Sequence, residues 1–193
     1  VNYLFHIYLS GSDPEILIGN FMGDFVKGRL GDDFAPRVRR GIELHRRIDS
    51  FARDQADFNR SRLRIGQEFG LYRGVLVDLF YDHFLARDWQ RWSDQPLAVF
   101  LDQTRGVIQA RRDQLPQRLD AIVSVIFDDL LPSYAEPAGI VQALERMSRR
   151  VRRVNPLAGG GAELLRSYAE LETDFLAFLP EVRQFALHYL AEA

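Results

Sequence analysis

Along almost the whole of this 193-residue chain, apolar side chains recur at the three-to-four-residue spacing of a helix. That periodicity restricts the chain to an all-α fold. Only Tyr3 to Leu9 and Ala121 to Phe127 carry enough β-branched and aromatic residues to pass as short strands, and both read equally well as buried helix. With 47% hydrophobic and 27% charged residues, the chain can bury a real core.

Asp13-Pro14-Glu15 has an N-cap acid, a first-turn proline and an early carboxylate, so a helix is predicted from there to about Lys27. Asp32 or Asp33 caps the next helix, which carries Val38, Ile42, His45, Asp49 and Phe51 and fades near Asp54. Helices are further predicted over about 55–69, 70–92, 97–112, 116–130 and 137–154. Asn155 to Gly161 is the most flexible stretch, followed by a final helix of about thirty residues, bent at Pro180. The breaks are short. We therefore expect one all-α domain over 1–193, a bundle of seven or eight helices.

No cysteine is present, which excludes a disulfide scaffold, a thiolate metal site and a thiol nucleophile. A net charge of −2 argues against a nucleic-acid binder. No apolar run approaches the ~20 residues of a membrane span, and the N-terminal residues lack the charged start of a signal peptide, so a cytoplasmic protein is expected. There is no Walker A loop, no G-x-S-x-G and no H-E-x-x-H.

Any metal must then be held by His, Asp or Glu. His45 and Asp49 are four apart and share a helix face, as do Asp78 and Asp82, with His83 next in sequence. Asn20 and Asp24 repeat the spacing. Carboxylates in such apolar surroundings need partners. Asp24, His45, Asp49, Asp82 and His83 are the candidate ligands, although Asp49 has Arg46, Arg53 and Arg73 within reach as ordinary ion-pair partners, and Asp82 has Arg87. Of the four histidines, His188 is expected to be ordinary.

Arginine clustering is the second signal. Arg146 to Arg153 holds five arginines in eight residues and no acid; Arg37, Arg39, Arg40, Arg46 and Arg47 crowd another helix, and Arg60, Arg62 and Arg64 form a third group. Such runs are solvated helix faces or the docking surface of an anionic partner.

Five blocks in order resemble the bacterial acyl carrier protein phosphodiesterases, also called acyl carrier protein hydrolases. They are Asn2-Tyr3-Leu4-Phe5-His6-Ile7-Tyr8-Leu9, Gly19-Asn20-Phe21-Met22-Gly23-Asp24-Phe25-Val26-Lys27-Gly28, Gly41 to Asp49, Asp78 to Trp89 and, more weakly, Ser167 to Glu172. The resemblance spans essentially the whole chain, with no matched motif over 96–137. It implies hydrolysis of the phosphodiester that joins 4′-phosphopantetheine to a serine of holo acyl carrier protein, and so a place in fatty-acid metabolism. It also implies an HD-domain-like fold and a divalent metal, Mn2+ before Mg2+ or Fe2+. The chain departs from ordinary HD proteins in that Asp82-His83 reverses the His-Asp order.

On this reading Asp24, His6, Arg46 and Arg47 are the catalytic candidates, with an arginine neutralising the phosphate. Arg37, Arg39, Arg40, Arg149, Arg150, Arg152 and Arg153 are the candidates for docking the acidic carrier protein, and Tyr72, Tyr81, Trp89 and Trp92 are candidates for a groove that holds the prosthetic arm. No nucleic-acid or membrane partner is expected. Two other readings compete: an HD-type phosphohydrolase of a nucleotide or other small phosphate ester, and a non-catalytic helical module.

Overall fold

The computed structural model describes residues 2–192. Among them there are eleven α-helices and no strand. They are α1 (Tyr3–Tyr8), α2 (Pro14–Phe21), α3 (Pro36–Asp54), α4 (Ala56–Arg64), α5 (Arg73–Arg87), α6 (Leu97–Gln109), α7 (Gln117–Asp120), α8 (Leu131–Ser133), α9 (Pro137–Arg150), α10 (Gly160–Arg166) and α11 (Tyr168–Ala191). The count exceeds seven or eight because α1 and α8 lie outside the predicted helices and the C-terminal helix is divided into α10 and α11. Tyr3 to Tyr8 is helix, and Val125–Leu130 is a π-helical turn.

Particular residues mark the starts and breaks. Asp13 caps α2 as predicted, accepting from the Glu15 and Ile16 amides at 2.8 and 3.1 Å. The helix stops at Phe21 rather than Lys27, and Gly23–Phe25 turns as a 3-10 segment. Gly70, with φ at +47°, kinks the Gln67–Tyr72 segment that leads into α5. Gly160 and Gly161 are not linker: they begin α10 against Leu76, Leu144 and Val141. The long C-terminal helix breaks at Ser167, while Pro180 lies inside α11.

The core forms around α5, every residue of which is buried from Leu79 to Ala86. Tyr81 packs among Phe5, Phe58, Phe175 and Phe178, with ring centroids 5.3–6.4 Å away. Buried Asp174 of α11 accepts from Arg60 Nε, Arg64 Nε and Ser61 Oγ at 2.7, 2.8 and 3.1 Å. That clamp fixes α4 on α11 and consumes two arginines of the third basic group.

Two glycines decide where α2 meets α3. A Cβ on Gly19 would lie 2.1 Å from the Val38 carbonyl, and one on Gly41 would lie 2.2 Å from the Ile16 carbonyl. Only backbone fits on either side, so the helices touch there. This contact brings Asn20 of α2 against His45 of α3.

Candidate metal centre and its flanking cavities

Three helices deliver the centre: α1 carries His6, α2 carries Asn20, and α3 carries His45 and Asp49. Asn20 orients both imidazoles. Its side-chain NH2 donates to the His6 carbonyl at 2.8 Å and to Ser10 Oγ at 3.0 Å. Its Oδ1 is therefore the atom facing His6 Nδ1 at 2.9 Å, and that nitrogen donates. The backbone carbonyl of Asn20 accepts from His45 Nδ1, also at 2.9 Å. With Nδ1 protonated, the neutral form of each ring carries its lone pair on Nε2.

Those lone pairs converge on carboxylates. His6 Nε2 is 3.3 Å from Asp49 Oδ1, and His45 Nε2 is 3.4 Å from Asp49 Oδ2 and 3.6 Å from Asp24 Oδ1. The His45 Nε2 atom is buried and has no hydrogen-bond partner among the described residues. Burial, reinforced by neighbouring His45, pushes the His6 pKa down to about 4, so its ring is neutral near pH 7. His45 Nε2, buried and without a hydrogen bond, faces Asp49 and Asp24 at a place where a cation would satisfy nitrogen and carboxylates together. The ligand atoms of His6, His45 and Asp49 lie within 4.8 Å of one another, a group able to hold a metal ion. The donor set and its orphaned nitrogen fit a divalent ion.

Asp24 stands at the rim with its side chain 58% exposed. The 3-10 turn that carries it depends on Gly23, where a Cβ would lie 2.2 Å from His45 Cγ. Arg46 shares the rim and donates to the Val26 carbonyl at 3.0 Å.

Two cavities flank the centre. One of about 280 Å³ is lined by Gly23, Asp24, Val26, Lys27, Gly28, His45, Arg46 and Asp49. The other, about 430 Å³, shares Asp24 and Asp49 and extends toward Phe58, Val75 and Leu79. Asp78 is on its wall, where burial raises the carboxyl pKa.

The remaining predicted residues lie elsewhere. Asp82 is not brought to the centre: it accepts from the Leu4 and Phe5 amides at 3.0 and 2.9 Å and so caps the start of α1. His83 is engaged at both nitrogens, by the Tyr134 carbonyl at 2.8 Å and the Tyr168 hydroxyl at 2.7 Å. Its spacing from His45 in sequence concealed that α5 turns it toward α11. Arg47 reaches over the Tyr189 ring, 5.1 Å from its centroid, leaving Arg46 as the arginine of the centre. Tyr81 and Trp89 belong to the core, and none of the four aromatics expected in a groove lines either cavity.

The two basic clusters differ. Arg37 pairs with Asp13 at 2.6 Å, Arg39 pairs with Asp32 at 2.9 Å, and Arg40 donates to the Tyr189 carbonyl. At the end of α9, Arg149 reaches Glu145 only at 3.5 Å, and Arg150, Arg152 and Arg153 are exposed. This end adjoins the centre. Met147 lines the larger cavity, and the Tyr3 hydroxyl, pushed up to about 12 mainly by burial, feels both Asp24 and Arg150.

Asn20 is the residue of the candidate centre that the sequence candidates omitted. Its four-residue spacing from Asp24 was the available signal, but the link to two histidines on other helices is tertiary. No helix is long and apolar enough to cross a membrane among the described residues.

A family model described as acyl carrier protein phosphodiesterase matches residues 1–182. The acyl carrier protein phosphodiesterases of Pectobacterium atrosepticum and Serratia proteamaculans are 31% and 32% identical over 188 residues, covering 96% of this chain and 97% of each relative. That of Yersinia pestis is 28% identical over 190 residues, covering 97% and 98%. No solved structure matches the chain.

Proposed function

The chain belongs to the acyl carrier protein phosphodiesterase family, and from that premise we propose that it removes 4′-phosphopantetheine from holo acyl carrier protein in a metal-dependent hydrolysis. Water adds to phosphorus, the P–O bond to the carrier's serine breaks, and the products are apo acyl carrier protein and 4′-phosphopantetheine. We treat 1–193 as one catalytic domain, a rearranged relative of the HD-type phosphohydrolases, acting in the cytoplasm on a protein partner rather than on nucleic acid or membrane.

The observation that carries the reading is the bare, buried His45 Nε2 facing two carboxylates beside His6 Nε2. His6, His45 and Asp49 would hold the ion. Their mixed nitrogen and oxygen donors suit Mn2+ or Fe2+ better than the oxygen-preferring Mg2+, and Mn2+ is our assignment. A bound divalent ion supplies Lewis acidity toward a phosphoryl oxygen and lowers the pKa of water.

The other steps belong to the chain. Asn20 holds both rings in the tautomer that presents Nε2. Asp24, exposed and 3.6 Å from His45, takes a proton from the attacking water and returns it to the departing serine oxygen. Arg46 and Lys27 line the smaller cavity and balance the phosphate charge. The exposed arginines at the end of α9, of which only Arg149 reaches an acid among the described residues and that at 3.5 Å, receive the acidic carrier protein, whereas Arg37 and Arg39 are held closer by their own acids.

The test is incubation with holo acyl carrier protein and Mn2+, followed by mass spectrometry of the carrier. Loss of the prosthetic group, abolished by chelator, is expected. Turnover of a nucleotide or small phosphodiester with the carrier untouched would favour the small-ester reading instead.

A further inference from the structure

We propose that the 430 Å³ cavity beside the metal centre is the channel for the pantetheine arm, with Gly74 leaving room for it and Arg62 holding it. The inference rests on the proposed function. It assigns the part of the site that would distinguish this substrate from other phosphodiesters.

The cavity begins at Asp24 and Asp49, so a phosphate at the centre lies at its mouth. Beyond them the wall is mixed: Ala52, Phe58, Val75, Leu79 and Met147 give it apolar stretches, between which stand Asn2, Arg53 and Asp78. A pantetheine arm alternates hydrocarbon with amides, beginning with a gem-dimethyl group near the phosphate. It needs an apolar tube with a few isolated donors.

One donor waits there. Arg62 Nε is buried and makes no hydrogen bond among the described residues, while its Nη1 donates to Asn59 at 3.2 Å. It lies 4.0 Å from the place a Cβ on Gly74 would take. An amide carbonyl of the arm passing over Gly74 would satisfy it. At the other rim Leu71 is 97% exposed, on the turn shaped by Gly70, and offers an apolar contact that water does not reward. The separate 280 Å³ cavity, where Lys27 and Arg46 stand beside Asp24 and Asp49, is left for the carrier's side of the ester.

Gly74→Leu fills the channel from a helix whose backbone tolerates a side chain, since Gly74 is not among the positive-φ glycines. Titration calorimetry of 4′-phosphopantetheine onto the Mn2+-loaded full chain should show binding to wild type. Affinity should fall at least tenfold in Gly74→Leu and about threefold to tenfold in Arg62→Gln. Inorganic phosphate should bind both variants as it binds wild type. Leu71→Asp, a surface change, should also weaken the arm and serves if Gly74→Leu fails to fold. Equal affinity of wild type, Arg62→Gln and Leu71→Asp overturns the channel, as does absence of 4′-phosphopantetheine binding by wild type. If wild type cleaves holo carrier protein while these variants bind the arm normally, only the channel is lost. If the arm binds but the carrier is never cleaved, only the proposed function is lost.

Discussion

The imidazoles of His6 and His45 are stacked, with 3.7 Å between ring centroids and 13° between planes. Two rings from helices far apart in sequence thus present their Nε2 atoms side by side to one carboxylate, Asp49. Asn20 sets both of them, one through its side chain and one through its backbone carbonyl. Asn20→Ala removes the acceptor of His6 and leaves that of His45. Mn2+ affinity should fall about 10- to 100-fold, the usual effect of losing an outer-shell partner. Metal titration on the purified variant measures this, and unchanged affinity would remove Asn20 from the centre.

Asp24 is assigned proton transfer rather than ion binding, and Asp24→Asn separates the two. The variant should retain Mn2+ after desalting while kcat drops about 10²- to 10⁴-fold. His45→Ala should lose the ion itself. Loss of metal from Asp24→Asn would move Asp24 into the ligand set.

Gly23 and Gly19 fail in different ways when given a side chain. At Gly23 the added carbon meets the His45 ring, 2.2 Å away, so Gly23→Ala should displace a ligand and abolish metal binding with a modest change in Tm. At Gly19 it meets backbone, the Val38 carbonyl at 2.1 Å, and cannot be accommodated by a side-chain rotation. Gly19→Ala should destabilise the protein by about 1–3 kcal/mol. Thermal unfolding and metal analysis of the pair check the contrast.

What the sequence revealed and what it hid follow from the range of each interaction. The Asp13-Pro14 helix start is local chemistry, and His45 and Asp49 share a face by helix geometry alone. Asp82 and His83 look like ligands for the same local reasons, yet Asp82 caps α1 and His83 is tied to Tyr134 and Tyr168. Nothing in the residues beside them specifies those partners, which are 51 to 85 positions away. The early end of α2 was likewise invisible, because Gly23 is explained by a ring on another helix.

His83 gives a pH dependence. Burial, the largest cause, holds its pKa below the ordinary 6.5. The native ring therefore refuses a proton that the unfolded chain accepts. Its contribution to stability is fully present above about pH 6.5 and is lost as pH falls below that value. Urea midpoints between pH 7.5 and 5 should decline for wild type and decline less for His83→Gln. Parallel curves would assign the acid sensitivity to other groups.

In the proposed function the basic end of α9 steers encounter with the carrier protein and takes no part in the chemistry. Charge reversal of Arg149, Arg150, Arg152 and Arg153 to Glu should raise KM for holo acyl carrier protein at least tenfold and leave hydrolysis of a small phosphodiester within about twofold. Rim charges steer an acidic partner into register, while the proposed chemistry belongs to His6, His45, Asp49 and Asp24. Raising salt should reproduce the effect in wild type, since the Debye length shrinks to about 8 Å at ~0.15 M. Reversing Arg37 and Arg39 supplies the control. Their charges are already matched by Asp13 and Asp32, so KM should move little. A larger effect from that pair than from the end of α9 would place the carrier on the opposite basic cluster, and equal loss on both substrates would place the damage in the centre itself.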